Sequence, residues 1–362
     1  MNMIGYIKKA DETFKKSPAN VADALLMSWV AYFDFSDVKD RLPLKFDDFR
    51  YINEFKKLDP YISSFVPRYS RRFLRLMTNS PRFKECELLA TEYILDKKRD
   101  TQFAVIAVKC NKDIIVAVRG TDPSYTGWKE DFQMSFKDKI NSYSHMDAFI
   151  KRLIKKYKKE NLVLCGHSKG GNICTYLLSQ IDDDSRISKV YSFDGPGFRA
   201  KGLFKGKEER LEKYTKFIPQ SSVVGVLFSN ETDVKIIKSR SLLLMQHNPF
   251  EWVIKDNDFF YLQKRTISSR YLEQSLNYWI ESLNEKDRER FTEIIFGELD
   301  NFKTQDITTF FKTLLLQVGP VWKAYRGLEK DDKKVVNRVV KRLFKSFLMK
   351  PELKKLPMKE NA

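Results

Sequence analysis

Residues 161–172 read NLVLCGHSKGGN, and no other stretch of the chain restricts its fold so tightly. An apolar run of strand type ends abruptly, with Ser168 held between Gly166 and Gly170. The run GGNICTYLLSQI follows, with Ile173, Tyr176, Leu177 and Leu178 on one side of a helix. Strand, G-x-S-x-G turn and helix together form the context of a nucleophile elbow. The serine sits in a sharp turn, and the small residues two places away leave room for strand and helix to approach. The helix N-terminus then points its backbone N–H groups at any negative charge developing beside the serine.

The rest of the pattern fits this centre. Residues 103–109 (FAVIAVK) and 114–120 (IIVAVRG) are β-rich runs around a turn-like tetrapeptide and predict a hairpin. A basic helix over 145–160 leads into the strand before Ser168, and further strands are expected at 189–197 and 221–230. Strands alternating with helices imply a mainly parallel sheet with helices on both faces. The expected organisation is an α/β-hydrolase core over 101–265. A helical region spans 1–100, including VADALLMSWVAYFDF at 21–35, and a second spans 266–362. One domain with helical additions suits a chain of 362 residues without internal repeats or low-complexity linkers.

A serine nucleophile needs a base, and the chain has only three histidines. His167 adjoins the serine and points away from Oγ in an elbow. His145 lies upstream, whereas hydrolases of this architecture run in the order Ser, acid, His. That leaves His247, in LLLMQHNPFEW. For the acid, Asp233 follows an expected strand and is favoured. Asp194, at the end of VYSFD, is the alternative, with a turn carboxylate as its plainer role. The oxyanion donors are expected to be the Lys169 N–H and, from VAVRGTD, the N–H and hydroxyl of Thr121. The Lys169 side chain either favours anionic substrates or points to solvent. This chemistry requires no metal or organic cofactor.

The segment IIVAVRGTD, with Trp128 and Asp131 beyond it, the elbow LVLCGHSKGGN and the strand YSFDGPGF resemble the class 3 lipase pattern. The lysine in GHSKGGN, the SFDGPGF strand, the block at 219–252 and the early DALLMSWVAYFDF resemble more closely a bacterial family of uncharacterised lipase-like α/β-hydrolases. The resemblance spans about residues 20–310. It implies Ser168 as nucleophile, His247 as base, Asp233 as acid, Thr121 and Lys169 at the oxyanion site, and a small-molecule or lipid ester as substrate. One departure concerns spacing. Asp233 precedes His247 by 14 residues and Asp194 by 53, and class 3 lipases place acid and histidine far apart.

Charge and cysteine content bound the remaining classes. Sixty-six Lys and Arg against 48 Asp and Glu give +18, but no nucleic-acid-binding motif accompanies them, so nucleic acid is not an expected partner. Four cysteines without a CxxC pair, no signal-type opening and no spanning-length apolar run lead to the expectation of a cytoplasmic protein. The run VVNRVVKRLFKSFL at 335–348 predicts a basic amphipathic helix. It either docks on the hydrolase body or makes peripheral contact with an anionic membrane surface. A non-catalytic scaffold with the same elbow is the rival to the enzyme reading.

Overall fold

Strands that are apolar along their whole length need cover on both faces, and here the cover comes from two separate parts of the chain. The computed structural model describes residues 1–51, 67–228, 232, 234–301 and 318–348. Helices α1 (Met3–Lys9) and α2 (Val21–Val30), the edge strand β1 (Leu44–Lys45) of the main sheet and helix α3 (Pro67–Asn79) come first in the chain. Strands β2 (Glu87–Asp96), β3 (Thr101–Cys110) and β4 (Asp113–Val118) form an antiparallel meander. Helices α4 (Tyr125–Gln133) and α5 (Asn141–Lys156) lead to β5 (Asn161–His167), then α6 (Lys169–Gln180) and β6 (Ile187–Phe193). Strands β7 (Tyr214–Pro219) and β8 (Lys235–Ile237) complete the sheet, with parallel pairing from β4 to β8.

Spatial order follows chain order through all eight of these strands. Right-handed crossovers running in one direction put their helices on the same face. Accordingly, α5 and α6 share one apolar cluster with Ile114, Val116, Leu162 and Leu164. The opposite face carries Ile115, Ala117, Val163 and Cys165, and α1, α2 and α3 cover it. Every residue of α2 is buried, and a capping box between Asn20 and Asp23 fixes its start. Asp23 is itself buried and paired with Arg82, whose Nε lies 2.8 Å from Oδ1. Strand, sharp serine turn and helix at the centre of a mainly parallel sheet make this an α/β-hydrolase fold.

Two expectations are corrected. Residues 221–228 form turns rather than a strand, and the strand of this region is β7, just before them. The physical reason is a buried carboxylate: Asp194 collects Ser222 Oγ and the Gly225 N–H, which coils this apolar run around it. The region 1–100 is also not helical to its end, since β2 begins at Glu87 and pairs along β3.

After β8, α7 (Ile267–Ser282) and α8 (Glu285–Asn301) precede a C-terminal helix, Lys330–Leu348. That helix packs on both. Trp279 Nε1 donates to the Val339 carbonyl at 3.0 Å, Arg290 pairs with Asp332 at 2.7 Å, and Arg338 with Asp287 at 3.3 Å. Docking buries Val339 while Phe344 and Leu348 stay exposed. Helix α8 also covers the outer face of α4, where Phe132 and Phe296 meet edge to face at 5.4 Å. No described helix is long and apolar enough to cross a membrane. All four cysteines are free and buried.

Candidate active site

Ser168 occupies the turn between β5 and α6 with φ 57° and ψ −130°, a conformation costly for a residue with a side chain. Its surroundings hold it there. The Ser168 N–H donates to the Phe193 carbonyl on β6 at 2.9 Å, and its own carbonyl accepts from the Gly171 N–H at 3.0 Å. Gly166 lies so close to the first turn of α6 that a Cβ there would stand 2.2 Å from the Gly170 carbonyl carbon. The strand therefore runs directly against the helix start, leaving the serine at the tip.

His247 ends a 3₁₀ turn, Leu243–His247. Its Nδ1 lies 2.7 Å from Asp194 Oδ2. With the proton on Nδ1 and donated to the carboxylate, Nε2 carries the free lone pair. Asp194 is fully buried at φ 50°, directly after β6. Its second oxygen accepts from Ser222 Oγ at 2.5 Å and from the Gly225 N–H at 3.2 Å, while its own N–H donates to the Phe217 carbonyl at 2.8 Å. The carboxylate is thus fixed from three sides and aimed at the imidazole. Asp233, the favoured acid on sequence grounds, lies outside the described residues.

His167 joins the Ser168 turn to the turn that carries His247. Its ring centroid lies 4.4 Å from that of His247. Its Nε2–H donates to the His247 carbonyl at 2.8 Å, and its Nδ1 accepts from the Tyr32 hydroxyl at 3.0 Å. Burial, reinforced by the neighbouring His247, holds its pKa well below the ordinary histidine value, so it stays neutral. The residue before the serine is therefore a clamp on the turn that carries His247. Tyr32 comes from the segment just after α2, on the other side of the sheet from α6.

Thr121 follows β4 by three residues. The chain there backs onto the elbow: a Cβ at Gly120 would stand 3.0 Å from Ser168 Cβ. The Thr121 hydroxyl, expected from the sequence as a second donor, instead donates to Asp131 Oδ2 on α4 at 2.6 Å. Burial pushes the Asp131 carboxyl up to about 6, against the opposing pull of the Lys169 ammonium and the Thr121 hydroxyl. Lys169 is the first residue of α6, where backbone N–H groups have no partner within the helix.

The Lys169 side chain corrects both sequence expectations for it. It neither points to solvent nor meets an anionic substrate, being 1% exposed. Its Nζ donates to the Gln102 carbonyl at 2.9 Å, to Gln102 Oε1 at 2.9 Å and to Glu130 Oε2 at 2.8 Å. Glu130 also accepts from the Gln102 N–H at 3.0 Å and from Ser142 Oγ at 2.7 Å. Nothing in the elbow motif announces this network, because its members lie on β3, α4 and α5. His145 lies on α5 with its ring stacked on Phe103. Among the described residues, no three His, Cys, Asp or Glu side chains group as metal ligands.

The sequence profile of a family described as Mbeg1-like matches residues 77–297. No curated protein matches the chain. Among solved structures, similarity is found to the Lip2 lipase of Yarrowia lipolytica, at 11% identity over 52% of this chain and 84% of that one, with a TM-score of 0.37. A fungal lipase is similar at 11% identity over 65% of this chain and 84% of that one, with a TM-score of 0.39. Rhizomucor miehei lipase in a propeptide complex is similar at 16% identity over 51% and 64%, with a TM-score of 0.33.

Proposed function

The chain belongs to the Mbeg1-like family, and from that footing we propose that it is a serine hydrolase of carboxylic esters, working through Ser168, His247 and Asp194. The observation that carries this reading is the 2.7 Å contact between His247 Nδ1 and the buried Asp194 Oδ2. The turn that carries His247 is bonded through its carbonyl to His167 at 2.8 Å, the residue before a serine held in a strained turn at a helix N-terminus. An exposed carboxylate would be solvated. A buried one, fixed by Ser222 and Gly225, is worth maintaining where an imidazolium has to be stabilised.

The steps follow from these positions. Ser168 Oγ attacks the acyl carbonyl carbon while His247 Nε2 takes the hydroxyl proton, and Asp194 stabilises the imidazolium. The tetrahedral oxyanion is met by the N–H groups of Lys169 and Thr121. Collapse expels the alcohol, which leaves with the proton from His247. Water, deprotonated by His247, then attacks the acyl-enzyme and releases the acid and the free serine. Leu242, Leu244 and Met245 are exposed in and just before the 3₁₀ turn that ends at His247. With the Lys169 ammonium withdrawn into the core, these side chains favour an ester with an apolar acyl part, such as a lipid.

The test is a panel of p-nitrophenyl esters of short and long acyl chains, with phospholipid vesicles, on wild type and Ser168→Ala. Turnover that rises with acyl length and vanishes in Ser168→Ala is expected. A wild type inert on the whole panel, or turnover unchanged in Ser168→Ala, overturns the reading in favour of a scaffold role.

A further inference from the structure

In an elbow, the residue after the nucleophile has to supply only a backbone N–H, so its side chain is free to point anywhere. Here it is a lysine driven into the core, and all three of its protons are used. We propose that Lys169 is a positioning residue whose buried ammonium ties α6 to α4 and thereby fixes the spacing between the two oxyanion donors, its own N–H and that of Thr121. This rests on the serine-hydrolase reading above.

The geometry closes a ring. Thr121 donates to Asp131 Oδ2 at 2.6 Å. Asp131 is the neighbour of Glu130 on α4, and Glu130 accepts from Lys169 Nζ at 2.8 Å. The same ammonium lies 3.9 Å from Asp131 Oδ1. From Nζ the path returns through the Lys169 side chain to the first amide of α6. Both ends of the ring are therefore the proposed donors, and its middle is one turn of α4. That turn is braced from outside by Phe296 on α8. Helix α4 is itself anchored at its start by Ser124, whose side chain accepts from the Gly127 N–H.

A purely structural role explains this arrangement less well. A buried ion pair is weak for stability, and apolar residues of similar volume often do as well or better. What a charged pair with three directed hydrogen bonds adds is geometry, and a misplacement of about 1 Å can cost on the order of 100-fold in rate. The charged groups facing Asp131 are the Lys169 ammonium, Glu130, and Asp122, which is paired with Arg119 at 3.1 Å. Lys169 holds the Asp131 carboxyl down more strongly than Glu130 pushes it up. Removing both therefore raises it.

The experiment measures Ser168 labelling by a fluorophosphonate between pH 5 and 9, together with thermal melting. The proteins are wild type, Lys169→Met with Glu130→Gln in one chain, and Asp131→Asn. The double variant removes both members of the 2.8 Å ion pair and leaves Asp131 its hydrogen bond from the Thr121 hydroxyl. The proposal predicts that it melts near wild type yet labels about 10- to 100-fold more slowly, with the acid limb of its profile moved to higher pH. Asp131→Asn keeps the Lys169–Glu130 pair and is predicted to label several-fold more slowly at pH 8. Wild-type rates with an unmoved limb in the double variant, or a wild-type rate in Asp131→Asn, overturn the proposal while leaving the hydrolase reading intact. A wild type that never labels removes the hydrolase reading itself, and the proposal with it.

Discussion

His167 and Lys169 flank Ser168, both buried, and they serve the same turn by opposite physics. His167 faces the side covered by the N-terminal helices and works as a neutral clamp, accepting from Tyr32 and donating to the His247 carbonyl. Lys169 faces β3 and α4 and works as a charged clamp, closed by Glu130. One flank holds the His247 turn, the proposed base, and the other holds the start of α6 against α4, beside the proposed oxyanion donors. The difference teaches how one strained turn is held from two directions. A neutral hydrogen-bonded pair is inexpensive to bury and weak. A charge is costly to bury and, once paired, hard to remove.

The largest effect that could break this picture lies behind the proposed base, His247. Asp194→Asn removes the charge that fixes the His247 tautomer, and kcat is expected to fall about 10⁴-fold. Asp233→Asn is expected to leave kcat within a factor of two. Steady-state kinetics on both variants decide which aspartate serves.

The next effect separates the two clamps by stability. Lys169→Met leaves Glu130 buried without its cation and is expected to cost about 3–5 kcal/mol. Tyr32→Phe deprives His167 Nδ1 of a donor and the Gly120 N–H of an acceptor, with no charge left unpaired, and is expected to cost about 1–3 kcal/mol. Denaturant unfolding of both measures the ratio, and equal losses would erase the distinction between the clamps.

The smallest effect is also the sharpest, because the flanks titrate with opposite sign. His167 has a depressed pKa in the folded state. Its contribution to stability is therefore complete above the unfolded value of about 6.5 and declines as pH falls below it. Asp131 has a raised one, about 6. Its contribution is complete below the unfolded value of about 3.9 and is lost as pH rises towards 6. His167→Asn should make thermal stability less sensitive to acid between pH 4 and 6.5. Asp131→Asn should gain stability relative to wild type on going from pH 4 to pH 7. Melting temperatures across that range show whether the two slopes oppose.

What could be read in the sequence was what depends on neighbours in the chain. The elbow is such a feature, since strand, glycines and helix specify it within a dozen residues. The hairpin β3–β4 and the strand ending at Phe193 are local in the same way. His247 could be approached by elimination because histidine is scarce. The carboxylate that meets His247 could not, because it depends on which loop folds back over β6. The apolar run at 221–228 suggested a strand and so lent weight to Asp233, whereas it bends around the Asp194 carboxylate. A signal for Asp194 was present in its position directly at the strand end. The direction of Lys169 had none, since a lysine opening a helix reads as exposed until Glu130, from a different helix, is brought beneath it.

The most direct measurement is the site of covalent modification by a fluorophosphonate, mapped by peptide mass spectrometry on wild type, Ser168→Ala and His247→Ala. A single adduct on Ser168 is predicted, absent in Ser168→Ala and formed far more slowly in His247→Ala. No adduct on wild type, or one on another residue that persists in Ser168→Ala, would contradict Ser168 as the nucleophile.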